Sequence, residues 1–334
     1  MFEINVKLVE KVMIVVTGGA GCIGSAVVWG LNKRGITDVI LVDGVDHPEK
    51  AKNIASLDYH ALENKDIFLN YIINSNVPWS VDAIIHLGGC SSTIETDESF
   101  LTKNNYEYTK LLATYAINQD IRFIYASSAA TYGSGVEGFS DEVDLATLSP
   151  LNLYGHSKQK FDMWAKEQGV LNRIVGLKYF NVFGPSEYHK REMQSMVRRG
   201  YLQVLDSGKI RLFKSYNPKY ADGDQERDFL YVKDAVEMTL FFLDNSEVGG
   251  IFNAGTGVAR TWNELTDAVF KAMDREVDVE YIDMPDAIRD QFQYRTCAKI
   301  DKIQNAGYSK PITSLEDATT DYIQNYLLSN KRLS

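Results

Sequence analysis

Tyr154 and Lys158 stand four residues apart in the run Tyr154-Gly155-His156-Ser157-Lys158. On a helix that spacing puts both side chains on one face. A free tyrosine has a pKa of about 10 and is a poor base near neutrality. A neighbouring ammonium favours the phenolate, as does the positive ring of an oxidised nicotinamide. Both bring the phenol toward the range where general-base catalysis works. The pair can therefore move a proton on and off a hydroxyl while a hydride leaves or returns. Tyr-x-x-x-Lys also occurs on ordinary helix faces, so its surroundings decide its meaning. It follows Tyr125-Ala-Ser-Ser-Ala-Ala-Thr-Tyr-Gly133, an apolar strand that runs out into hydroxyls. Ser128 falls at the carboxyl edge of that strand, where doubly wound sheets bind ligands. It is positioned to bond a substrate hydroxyl or carbonyl; a turn serine is the plainer account of the same residue.

Upstream lies Thr17-Gly18-Gly19-Ala20-Gly21-Cys22-Ile23-Gly24. Gly18, Gly21 and Gly24 have the G-x-x-G-x-x-G spacing of a dinucleotide loop at a strand-to-helix junction. Glycine is needed there for a tight turn, for close approach to a pyrophosphate and for helix–strand packing. The N–H groups at the start of the helix then bind the phosphates. Asp43 lies nineteen residues beyond Gly24, at the end of the next expected strand. An acid there accepts from an unphosphorylated adenosine ribose, which suits NAD. Lys50 and Lys65 follow and can meet a 2′-phosphate, or simply be solvated, so these residues leave NAD and NADP open.

The elements needed to position these groups are legible as alternating patterns. Strands are expected at Val12–Val16, Val39–Val42, Ala83–His86, Phe123–Ala126, Ile174–Tyr179 and Gly250–Asn253. Helices are expected over Ile23–Arg34, near Ala61–Asn74, and over Asn104–Asn118, Tyr154–Gln168 and Thr261–Ala272. Asp228–Leu243 reads as strand followed by helix. The alternation predicts an α/β fold, a Rossmann-type doubly wound parallel sheet with a smaller C-terminal α/β substrate lobe. The expected division is residues 12–182 plus 229–257 for the dinucleotide and 183–228 plus 258–334 for the substrate lobe. Phe183–Gly223 reads as loops and charges.

The chain has 334 residues, 45% of them hydrophobic, enough for a large core. Its net charge of −10 offers no overall basic field for nucleic acid or an anionic membrane. Cys22, Cys90 and Cys297 are far apart, with no metal spacing and no disulfide framework, as expected in a cytoplasmic protein. No apolar run approaches the roughly 18 residues that span a bilayer. The first twelve residues carry Glu3, Glu10 and Lys11 and read as an extension before the domain rather than a signal peptide.

At these residues the chain resembles the extended short-chain dehydrogenase/reductase family of nucleotide-sugar epimerases and dehydratases, and within it the 6-epimerases of ADP-heptose. The resemblance covers about residues 13–330. It is carried by Thr17–Gly24, Leu87-Gly-Gly-Cys-Ser-Ser-Thr93, Asn104–Lys110, Tyr125–Gly133, Leu151–Lys158, Tyr179-Phe-Asn-Val-Phe-Gly-Pro185, His189-Lys190 and Arg227-Asp-Phe229. It implies that Gly18, Gly21, Cys22, Ile23, Gly24, Asp43, Gly44, Lys50, Lys65, Leu87, Gly88, Gly89, Cys90, Ser91, Asn104, Lys158, Val182 and Lys190 line the cofactor. NADP is the cofactor it favours, with NAD possible. Tyr154 and Lys190 become the two acid/bases, supported by Lys158 and Ser128. Ser128, Asn181, Glu192, Arg199, Leu212, Phe213, Lys214, Ser215, Arg227 and Phe292 fall to the substrate, with Arg227 on its diphosphate. Glu192 stands where a small or hydroxyl residue is common, Phe292 where a tyrosine is expected with Tyr294 nearby, and Gly44 where an asparagine is common. By residues alone, Lys190 with Arg191, Arg198 and Arg199 fits a solvated basic face, and Arg227 a surface ion pair.

The implied reaction inverts C6″ of ADP-D-glycero-β-D-manno-heptose by transient oxidation and supplies heptose for lipopolysaccharide core, in a homo-oligomer. The two epimers present their hydroxyls to different sides, and two bases meet that demand. A 4,6-dehydratase needs a carboxyl beside the strand-end hydroxyl, whereas Ser128 is followed by Ala129-Ala130. A UDP-hexose 4-epimerase could use the same Tyr154 and Ser128. A non-catalytic dinucleotide-binding protein has no chemical need of Tyr154 with Lys158.

Overall fold

The computed structural model describes residues 12–45, 47–289 and 292–334. The expected N-terminal extension lies outside the described residues, except for Val12, which opens the first strand.

Seven parallel strands form the central sheet. Across it they run Ala61–Glu63, Val39–Val42, Val12–Thr17, Ser80–His86, Arg122–Ser128, Ile174–Tyr179 and Gly250–Ala254. The chain starts in the middle, winds outward to one edge, then returns and winds to the other. The reversal lies between Val12–Thr17 and Ser80–His86, paired from Val12↔Ser80 to Thr17↔His86. A crevice at the carboxyl ends of the strands opens at such a point.

Away from the Ala61–Glu63 edge the strand centres are buried on both faces, which is why they read as branched apolar runs. Successive residues of the first strand serve opposite sides. Val16 packs with Val28 and Leu31 of helix Cys22–Lys33 and Val236 and Leu240 of helix Val232–Asp244. Val15 packs with Phe68, Leu112 and Phe161 from helices Lys65–Ile73, Tyr108–Asn118 and Leu153–Glu167.

Beside the strand Arg122–Ser128 sits a buried ion pair. Lys178 Nζ lies 2.8 Å from Asp162 Oδ2, both side chains at 0% exposure. Asp162 also accepts from Tyr125 OH at 2.9 Å and Ser127 Oγ at 2.7 Å, and Lys178 donates to Thr131 Oγ1 at 2.6 Å. Buried charges persist when paired and hydrogen-bonded in this way.

Four expectations are corrected. The helical reading near Ala61–Asn74 is split: Ala61–Glu63 is an edge strand, and Asn64 caps the helix Lys65–Ile73 by accepting from Asp66 N at 2.8 Å. A three-residue strand is too short to show a period of two. The helix expected from Asn104 starts earlier, at Glu98, and is π-wound over Thr102–Glu107 before Tyr108–Asn118. Phe183–Gly223 is more regular than expected. It holds the helix Met196–Ser207, capped by Ser195 and closed by Gly208 at φ 74°, and the strand Ile210–Phe213, which pairs in parallel with Val279–Ile282. The helix Trp262–Ala272 begins one residue after its expected start because Thr261 and Glu264 form a capping box.

Candidate active site

The first strand ends in Thr17 and turns through Gly18 at φ 68°, a left-handed conformation that costs glycine least. A Cβ on Gly24 would lie 2.0 Å from the Gly18 carbonyl oxygen, so only glycine lets the helix start against the turn. Gly21 caps helix Cys22–Lys33 with no side chain. Its first N–H groups are left for an anion, aided by the helix dipole. Above this cradle opens a cavity of about 560 Å³. All eighteen residues expected at the cofactor line it, together with Ser128 and Tyr154. A bare helix N-terminus facing a long cavity fits a dinucleotide.

At the far end of the cavity Asp43 Oδ2 accepts from Ala20 N at 3.0 Å, and Oδ1 from Gly44 N at 2.7 Å and Lys50 Nζ at 2.9 Å. Lys65 is bonded to Asn104 Oδ1 and lies 4.8 Å from the Tyr108 ring centroid. The buried Tyr108 hydroxyl has no hydrogen-bond partner among the described residues.

The loop Leu87–Ser91 is fixed by two groups that the sequence did not announce. Thr17 Oγ1 accepts from Gly88 N at 3.1 Å and lies 2.6 Å from His86 Nδ1. Asn105 accepts from Cys90 N at 2.8 Å and donates to Cys90 O at 3.0 Å and Ser157 Oγ at 2.9 Å. Asn105 thereby ties the loop to the helix that carries Tyr154. Asn105 lies in the Asn104–Lys110 stretch that carries the resemblance, but nothing in its spacing marks this role.

Asn152 caps that helix by accepting from Gly155 N at 2.8 Å. Tyr154 is consequently held in the first turn, against the Ser128 side chain. Burial raises the Tyr154 phenol, while Ser128 and the Lys190 charge act to lower it; burial prevails. Lys158 was expected to supply that charge. Instead its ammonium donates to Ala126 O at 2.9 Å, and burial pushes it down to about 8 against the pull of Asp162. A buried lysine with one carbonyl partner loses its proton more easily.

Lys190 sits in a short 3₁₀ segment, Tyr188–Met193. Two left-handed non-glycine residues flank Lys190 itself, Ser186 at φ 76° just before the segment and Arg191 at φ 48° within it. Each such residue costs about 1–3 kcal/mol and persists only where its surroundings hold it. Lys190 N donates to Glu187 O at 3.0 Å, and the buried Glu187 carboxylate accepts from Ser195 Oγ at 2.6 Å. Burial works to lower the Lys190 ammonium, but Cys22, Glu187 and Tyr154 outweigh it and leave it above its ordinary value. The solvated basic face allowed by the sequence is not what forms, because Lys190 turns into the cavity while Arg191 and Arg199 stay exposed. Neighbouring His189 is held down to about 4, chiefly by burial.

The remaining substrate expectations do not line this cavity. Glu192 and Arg199 are exposed. Asn181 is exposed beside Thr296. Leu212 is part of the core, which leaves only its backbone to a ligand. Phe213 adjoins it, Lys214 pairs with Asp283 at 3.2 Å, and Ser215 N donates to Asp222 Oδ1 at 2.6 Å. Arg227 is 7% exposed, with its guanidinium 5.6 Å from the Trp262 ring and 5.2 Å from the Phe292 ring. Among the described residues no carboxylate pairs with it, so the surface ion pair considered from sequence is absent there. Tyr294 OH accepts from Tyr216 N at 3.2 Å and is already engaged. His189, Phe180 and Tyr108 also line the cavity; they lie in stretches that carry the resemblance but were given no site role, and Met193, which joins them, lies in none.

Residues 14–255 match the NAD dependent epimerase/dehydratase family. The chain belongs to that family. It is 50% identical over 316 residues to the ADP-L-glycero-D-manno-heptose-6-epimerase of Nitratidesulfovibrio vulgaris strain DP4, covering 94% of this chain and 98% of the relative. It is 45% identical to the enzyme of that name from Fusobacterium nucleatum, with coverage of 94% and 98%. The crystal structure of the Helicobacter pylori ADP-L-glycero-D-manno-heptose-6-epimerase superposes with a TM-score of 0.77 at 26% identity, covering 95% and 96%. A UDP-N-acetylglucosamine 4-epimerase from Methanobrevibacter ruminantium shares the fold at TM-score 0.79 and 21% identity, covering 96% and 99%. The chain is thus an isomerase, an epimerase of nucleotide sugars that uses a nicotinamide dinucleotide. No helix among the described residues is long and apolar enough to cross a membrane.

Proposed function

We propose that the protein inverts C6″ of ADP-D-glycero-β-D-manno-heptose to give the L-glycero epimer with bound NADP, in the cytoplasm and as a homo-oligomer, supplying heptose for lipopolysaccharide core. The observation that carries the mechanism is that Tyr154 and Lys190 line one cavity and feel each other's charge. A nicotinamide dinucleotide held by these residues would supply hydride acceptance from C6″ and hydride return to the opposite face of that carbon. One of the two side chains takes the 6″-hydroxyl proton as the carbonyl forms. The ketone then rotates, and the other side chain gives a proton to the oxygen as the carbon is reduced. The elevated Lys190 ammonium suits the donor; the Tyr154 phenol, which burial raises, becomes the acceptor once the positive ring of a bound oxidised nicotinamide adds to the lowering pull of Ser128 and Lys190. Lys158 holds the nicotinamide ribose, and Lys50 and Lys65 hold the 2′-phosphate that favours NADP over NAD. Arg227, kept dry between two rings, takes the substrate diphosphate.

The test is incubation of purified protein with ADP-D-glycero-β-D-manno-heptose and resolution of the C6″ epimers. Conversion to a mixture with no net consumption of added cofactor is expected. Tyr154→Phe and Lys190→Met should each slow it by about 10²-fold or more. Equal or faster turnover of UDP-galactose would overturn the substrate assignment.

A further inference from the structure

Outside the cavity, the segment Asn330–Ser334 folds back across the turn that carries Lys190. Leu333 is fully buried. The Arg332 guanidinium lies 3.5 Å from the Tyr188 ring centroid, and its side chain is 10% exposed. Arg332 forms an ion pair with Glu49, the neighbour of Lys50 in helix Pro48–Ile54. Tyr188 OH donates to Lys331 O at 3.3 Å, Ser56 Oγ to Leu333 O at 3.1 Å, and Trp29 Nε1 to Ser334 O at 3.3 Å. Asn53, from the same helix as Glu49, donates to Ser186 O at 2.9 Å and Ala20 O at 3.1 Å. One buried side chain thus joins the Tyr188 ring, two residues before Lys190, to the helix bearing Lys50.

Strained turns keep their shape only when their neighbours leave no alternative. The turn from Ser186 to Arg191 is left-handed at both ends, and Tyr188 is its aromatic anchor. A stacked guanidinium held by a carboxylate fixes the orientation of a ring in a way a flexible ammonium cannot. We infer that Arg332 is a positioning residue for Lys190, holding Tyr188 and so aiming the Lys190 ammonium at the reacting oxygen. This rests on the acid/base role given to Lys190 above.

The experiment measures epimerisation by Arg332→Ala, Arg332→Lys, Lys190→Met and the double variant Arg332→Ala/Lys190→Met, with folding followed by circular dichroism. Arg332→Ala should lower kcat by about 10-fold and change KM for the ADP-sugar by less than about twofold. Arg332→Lys, which keeps the charge facing Glu49 but not the flat stack, should recover only part of the loss. The double variant should be no slower than Lys190→Met alone, because the two act through one group. Simple multiplication of the two losses would overturn the inference. So would wild-type kcat in Arg332→Ala beside an impaired Lys190→Met. An unimpaired Lys190→Met would instead remove the acid/base role itself. If Arg332→Ala fails to fold, Glu49→Gln breaks the same ion pair from the other side; a normal kcat there would overturn the inference.

Discussion

Lys50 Nζ lies 2.9 Å from Asp43 Oδ1, so the acid at the end of the second strand is already engaged by a cation. Both of its oxygens also accept from backbone N–H groups. A ribose hydroxyl arriving there would compete with these bonds, whereas a 2′-phosphate would meet Lys50 with Lys65 close by. A hydrogen bond to a charged group contributes about 1.5–3 kcal/mol, so Lys50→Ala should weaken NADP⁺ about 10-fold or more. NAD⁺, lacking the phosphate, should lose about threefold or less by the same reasoning. Titration calorimetry with both cofactors reads the difference.

Lys158, pushed down to about 8, carries its charge below that pH and sheds it above. Cofactor affinity should therefore fall on the alkaline side. NADP⁺ should bind about 10-fold more weakly at pH 9 than at pH 7 as the ammonium is lost. Lys158→Met should bind NADP⁺ weakly at pH 7 and show little further change, measured by titration calorimetry across the same range.

His189 is held down to about 4 and His86 well below its ordinary value, both mainly by burial. The unfolded chain protonates these rings as pH falls past about 6.5, while the folded protein resists. Their neutral-form advantage is complete above about 6.5 and is lost as pH drops toward the folded values. His189→Gln should lose about 2 kcal/mol less than the parent between pH 7 and pH 4.5, allowing for partial exposure of the ring. Urea unfolding at the two pH values measures it.

Removing Lys178 leaves Asp162 charged and fully buried. Lys178→Met should destabilise the protein by about 3–5 kcal/mol. Lys178→Met combined with Asp162→Leu should recover much of that loss, since a pair of buried charges is replaced by apolar groups together. Thermal and urea unfolding of the two variants decide between them.

The sheet was legible where a strand is buried on both faces. Val39–Val42 and Ile174–Tyr179 are unbroken apolar runs apart from Lys178, and both were read with the bounds they have. Ala61–Glu63 was hidden because three residues at an edge have neither length nor alternation. The π-winding of Thr102–Glu107 was hidden because apolar spacing does not tell one helical hydrogen-bond register from a neighbouring one. In the site, the glycine spacing and the Tyr154–Lys158 step are local and could be read directly. The field at Tyr154 could not, since it comes from Lys190 across the fold while Lys158 turns to a carbonyl. The hold of Arg332 on Tyr188 spans 144 positions of chain and leaves no local trace.

Arg227 is a cation sheltered by Trp262 and Phe292, with the carbonyl of Glu226 at 2.8 Å from one of its nitrogens. Burial has already stripped most of its hydration during folding, so an arriving anion need not bear that desolvation again. Occupancy and rigidity of the region around Trp262 then belong to a single equilibrium. Saturating nucleotide should raise the melting temperature and slow amide exchange around Trp262 together, and both gains should vanish in step when the guanidinium is removed.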